Sequence, residues 1–123
     1  MIVPKEIDLT IYQGASFYKE WELRDKEGNP IDMTGWSARM HIRRRKSSPD
    51  TMLELTTENG RLFINVQVDK TTYGIDLPPE DTETLTDKSG VYDLELVDLE
   101  GGVARVQEGI VTISLAVTRS IEV

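Results

Sequence analysis

Residues 90–98 read Gly-Val-Tyr-Asp-Leu-Glu-Leu-Val-Asp, and this stretch decides the fold. Tyr92, Leu94 and Leu96 share one parity while Asp93 and Glu95 take the other, the period-2 pattern of a strand with one face in a core and one in water. The same period recurs on both sides. Upstream, the run 36–45 places Trp36, Ala38, Met40 and Ile42 on one face and Ser37, Arg39, His41 and Arg43 on the other. Downstream, beyond a tight turn at 99–102, the run 103–118 changes apolar parity between Val106 and Val111. Gly109 lies between them and reads as a β-bulge that re-aims the strand.

The rest of the chain follows suit. Ile7, Leu9 and Ile11 alternate with Asp8 and Thr10, Gln13-Gly14 turns the chain, and Phe17, Trp21 and Leu23 share a parity. The sequence Asp-Lys-Glu-Gly-Asn-Pro at 25–30 is dense in turn formers and predicts a hairpin-like connection. Leu53 and Leu55 alternate with Glu54 and Thr56, and Leu62, Ile64, Val66 and Val68 with Phe63, Asn65 and Gln67. Asn59-Gly60 separates these two runs, and as a strong hairpin signal it predicts that they pair. Residues 69–89 are the least regular, with a short strand expected at 75–77 and one helical turn after Pro78-Pro79. About seven to nine strands at this spacing predict an all-β sandwich, antiparallel, with 1–123 as a single domain and 1–6 and 118–123 as terminal arms. Shared parity puts Trp36, Met40, Ile42, Ile64, Val66, Tyr92, Leu94, Val111 and Ile113 in its core.

Composition narrows the function classes. The 123 residues suffice for one core. Fourteen Lys plus Arg against 22 Asp plus Glu leave a net charge of −8, which repels phosphate and disfavours nucleic acid as a partner. The chain has no Cys and a single His, which excludes disulfides, thiolate chemistry, Cys-ligated metals and multi-His sites. Pro4, Lys5 and Glu6 interrupt any apolar start, so no cleavable export signal is expected. The longest mostly apolar stretch, 110–117, is under half of the roughly 20 residues a spanning helix needs, and no membrane partner is expected.

The one basic concentration is Arg39, His41, Arg43, Arg44, Arg45 and Lys46. Strand parity puts Arg39, His41 and Arg43 on one solvent face, and an immunoglobulin-like sandwich, which the sequence at 90–94 resembles, would set them beside the outward Asp93 and Glu95 as an exposed charge ladder. Arg44, Arg45 and Lys46, at the strand end, remain as a candidate partner-docking patch. Asp76, Glu80, Asp81, Glu83 and Asp87 read as a solvated acidic loop, since their spacing matches no Ca2+ loop. His41 has no nucleophile beside it in a known motif, so no enzyme activity, catalytic residue or cofactor is expected. Trp21 and Trp36 are in phase with apolar neighbours and read as core. The runs 7–12 and 110–117 are candidate open edges, and the apolar Ile121 and Val123 would extend a docking contact made there.

Gly90-Val91-Tyr92, with Leu94 two residues on, resembles the opening of the sixth strand in immunoglobulin-like sandwiches. In that motif the Tyr hydroxyl bonds to backbone a few residues upstream, and Leu94 stands where antibody domains carry a disulfide Cys. The strings IYQGASF, GNPIDMTGW, LTTENG, GVYDLELVD and EGIVTISLAVTR, in this order, are similar to small all-β structural proteins of tailed bacteriophages and prophages. The layout over about residues 7–119 resembles the immunoglobulin-like N-terminal domain of phage baseplate upper proteins. The resemblance implies an immunoglobulin-like fold and a non-enzymatic virion protein made in the bacterial cytoplasm. It would be an adaptor attaching fibres or other components to the tail, neck or baseplate, in a homo-oligomeric or symmetric array with other phage structural proteins. The alternative from another class is a carbohydrate-binding or adhesion β-sandwich module.

Overall fold

The computed structural model describes residues 2–119. Its elements are β1 (Lys5–Glu6), β2 (Leu9–Tyr12), β3 (Phe17–Glu22), β4 (Ser37–Arg43), β5 (Leu53–Thr56), β6 (Leu62–Val66), β7 (Thr71–Leu77), a one-turn helix α1 (Pro79–Thr82), β8 (Ser89–Val97) and β9 (Val103–Ser114). They form two packed sheets. The larger runs β1-β9-β8-β4-β5, with β2 also on β9, and the smaller runs β3-β7-β6. This is the strand arrangement of an immunoglobulin-like sandwich. Pairing is antiparallel except at one place: β1 and β2 both run parallel to β9, so Lys5 and Glu6 belong to the sheet rather than to a free arm.

The core is made by alternation from both sheets. Met40, Ile42, Tyr92, Leu94, Val111 and Ile113 are buried as their parity predicts, together with Leu55, Ile75 and Leu77. Trp36 and Ile64 are half-buried against this cluster. Val66 is exposed, because β6 is a sheet edge whose far end runs out past the core.

Three local expectations are corrected. The Asn59-Gly60 turn does not join a hairpin, since β5 pairs with β4 and β6 with β7, in different sheets. The Asn59 amide closes the turn locally: its oxygen accepts from the Thr56 and Arg61 amides at 3.0 Å each, and its nitrogen donates to the Glu54 carbonyl at 3.0 Å. Backbone groups at the strand ends are thereby satisfied locally, and the strands are free to diverge. The strand expected at 75–77 extends over Thr71–Leu77 as the centre of the smaller sheet. It shows little alternation because every residue of it except Asp76 is buried. Gly74 lies there because a β-carbon would overlap the Lys19 carbonyl oxygen and the Phe63 ring.

The third correction is the bulge. Leu94 pairs with Gln107 and Glu95 with Arg105, so the extra residue of β9 is Val106, not Gly109. Val106 and Gln107 in consequence both point inward. Gly109 stays in register opposite Tyr92, and its lack of a side chain admits the Ile7 carbonyl.

Candidate functional site: outward face and open edge of the larger sheet

On its solvent side the larger sheet divides into a charged half and an uncharged half. The charged half is the ladder. Arg39 faces Glu95 across β4 and β8, its Nε donating to Oε1 at 2.8 Å. Arg105 on β9 reaches Asp93 at 3.4 Å and Glu108 at 3.1 Å. His41 lies between Arg43 and Glu54: an Arg43 Nη sits 3.0 Å from Nδ1, and Nε2 is 3.1 Å from Glu54. A guanidinium only donates, so Nδ1 accepts and the ring proton sits on Nε2, directed at the carboxylate. The other Arg43 nitrogen closes the following turn by donating to the Ser48 and Pro49 carbonyls at 3.0 and 3.1 Å. Arg43 is thus on the ladder face but pairs with the turn, not with Asp93 or Glu95. An open depression of about 530 Å³ lies among these groups, lined by Glu6, His41, Arg43, Lys46, Asp93 and Arg105.

Arg44, Arg45 and Lys46, the expected docking patch, are all exposed. Arg44 ion-pairs with Asp87 at 3.1 Å, Arg45 is exposed on the turn, and Lys46 borders the depression. Ile121 and Val123 lie outside the described residues. The acidic segment is dispersed, for Asp81 is bound by Arg61 and Asp87 by Arg44. No group of three or more candidate ligands gathers for a metal among the described residues. Trp21 and Trp36 are half-buried against the core, Trp21 tilted on Tyr73 with centroids 5.7 Å apart.

The uncharged half comprises the outward residues of β2 and the adjoining part of β9 and β8: Thr10, Tyr12, Ile110, Thr112, Ser114 and Val91. Tyr12 is 62% exposed and Ile110 51%, and Leu115 and Val117 continue the exposed apolar surface beyond the strand. Of the two runs expected as open edges, one covers the other. β9 is interior, flanked by β8 and β2, and β2 is the edge.

What fixes β2 in place is a polar chain that sequence reasoning missed. Tyr73 on the smaller sheet donates to Gln107 Oε1 at 2.6 Å, Gln107 Nε2 donates to the Tyr92 hydroxyl at 2.9 Å, and Tyr92 donates to the Ile7 carbonyl at 2.6 Å. The bond of Tyr92 therefore reaches the N-terminal segment, 85 residues away, instead of backbone close upstream. Burial raises both phenols, Tyr92 to about 12 and Tyr73 in the same direction; for Tyr92 the Gln107 hydrogen bond opposes the shift and the Asp8 and Glu108 charges add to it. Asp8 Oδ1 takes the Ile110 amide at 2.9 Å, completing the ladder where the Ile7 carbonyl has turned to Tyr92. At the other end of β2, Gln13 accepts from the Ala116 amide and donates to the Leu85 carbonyl, both at 2.9 Å. The one sequence signal for this chain is the parity change after Val106, which forces a polar Gln into the core. No protein-family model matches this chain, and a search of curated proteins finds no match.

Proposed function

We propose that this chain is a non-enzymatic structural protein of a tailed-phage virion, an adaptor that holds fibres or other components on the tail, neck or baseplate. The observation that supports docking as its mode of action is the open β2 edge beside the uncharged surface of Tyr12, Ile110 and Leu115. An edge offers unpaired backbone groups to a partner strand, and adjoining side chains supply selectivity. The virion assignment rests on the string resemblance. The adhesion alternative is less favoured, because both indoles pack on the core instead of offering a flat stacking surface. The test is to purify particles from the lysogen or lysate encoding this chain and locate the protein by antibody labelling and cryo-electron microscopy. Density for the sandwich at a tail, neck or baseplate position is expected. Particles devoid of the protein would refute the assignment.

A further inference from the structure

We infer that the outward face of the smaller sheet receives an arginine side chain of a partner protein, its guanidinium laid on the Tyr18 ring beside the carboxylates of Glu20 and Asp76. This surface belongs to the other sheet from the β2 edge and does not depend on the virion reading.

One glycine builds the platform. Tyr18, Glu20, Phe63, Gly74 and Asp76 share the solvent side of the smaller sheet, as register and alternation dictate. Gly74 is the direct neighbour of both Glu20 and Phe63, and a β-carbon there would stand 2.4 Å from the Phe63 ring. The missing side chain is what lets that ring lie down over the middle strand. Tyr18 then stacks on Phe63, with centroids 5.4 Å apart and planes at 15°. This uses one face of the Tyr18 ring. Tyr18 is nevertheless 58% exposed, and among the described residues no cation of this chain lies against either ring.

Charge defines what fits the open ring face. Asp76 lies directly across from Tyr18 and Glu20 two residues along β3, so each carboxylate springs from a β-carbon about 5–7 Å from that of Tyr18. Glu20 accepts from Thr72 at 2.7 Å and from the Tyr18 hydroxyl at 3.4 Å, both neutral donors. The Asp76 carboxylate accepts no hydrogen bond and makes no ion pair among the described residues. Arg61 lies near enough to feel Asp76, but its guanidinium is bound to Asp81 and to the Asn59 carbonyl. Desolvation, Glu20 and Asp76 together raise the Tyr18 phenol above its ordinary value, so both charges are felt at the ring. An aromatic face with two carboxylates beside it that no cation neutralises attracts a cation and repels an anion. Arginine answers both parts at once, since a planar guanidinium stacks flat on a ring while its N–H groups point outward to carboxylates in two directions. The ammonium of lysine is a hydrated point charge without that shape.

An acetylated, amidated triarginine peptide, titrated into the isotope-labelled chain and followed by amide chemical shifts, tests this. The amides of Tyr18, Glu20, Gly74 and Asp76 should shift saturably. Y18A and D76N should each weaken binding about two- to fivefold, whereas Y18F, which keeps the ring, should bind as the wild type does. E100Q removes the same charge as D76N, from the exposed turn between β8 and β9, and should leave binding unchanged. Equal weakening by E100Q and D76N would mean attraction to net charge alone and would overturn the site. So would wild-type affinity in Y18A, an absence of saturable shifts, or a response to neutral maltotriose in place of the peptide. The comparison of D76N with E100Q decides the matter even if Y18A fails to fold.

Discussion

Replacing Gln107 by Leu probes the polar chain that crosses the sandwich. Gln107 is fully buried, and its amide takes the proton of Tyr73 and gives one to Tyr92. Leu fills similar space without either function. Tyr92 keeps the Ile7 carbonyl as acceptor, so its hydroxyl is still satisfied, but the Tyr73 hydroxyl is left buried with its partner gone. One orphaned group costs about 1–3 kcal/mol. With a urea slope on the order of 2 kcal/mol/M, the unfolding midpoint should fall by about 1 M. Tyr73→Phe alone strands the Gln107 oxygen and should cost a similar amount. The double variant Y73F/Q107L has neither group to orphan and should lie well above the sum of the single losses, because apolar replacement of both partners is close to neutral. Chemical denaturation followed by tryptophan fluorescence measures all four proteins. Additive losses, or an unchanged midpoint for Q107L, would refute the claim that this hydrogen bond spans the two sheets.

Leu94→Ala removes a fully buried side chain at the contact between the sheets and should cost about 2–5 kcal/mol by urea denaturation. Gly74→Ala should destabilise by at least about 1–3 kcal/mol by the same measure, since the added methyl meets the Lys19 carbonyl and the Phe63 ring. An Arg39→Ala, Glu95→Ala double-mutant cycle should give a coupling of no more than about 1 kcal/mol that fades as salt is added, because Arg39 is half exposed. Tyr73 and Tyr92 should stay protonated in the native protein above the ordinary phenol value. The fold then binds more protons than the unfolded chain above about pH 10. Stability from Tyr92 is complete below that point and lost as pH rises through about 12, so tyrosinate absorbance should appear together with unfolding.

Fold class was legible in the sequence because alternation reports directly on which side of a strand meets the core. Met40, Ile42, Leu94 and Val111 could be placed from parity alone, and so could the Arg39–Glu95 rung, since the two strands are neighbours in any immunoglobulin-like sandwich. Where both faces are covered, as along Thr71–Leu77, alternation disappears, and sequence reading finds only the short piece at 75–77. A turn signal also states only that the chain reverses. Asn59-Gly60 does make a turn, with Gly60 at φ +79°, but whether the flanking strands pair depends on which sheet each finds, a choice made by distant residues.

The candidate site was less legible for the same reason. Sequence fixed neither the N-terminal segment against β9 nor the Tyr73–Gln107–Tyr92 chain, whose members are far apart in sequence and meet only when the two sheets close. Local pattern reports the environment of one strand at a time. Which edge stays open, and which basic residues are already paired, follows from which strands are neighbours in the finished sheets, because a hydrogen-bonding edge is exposed only where no other segment pairs with it.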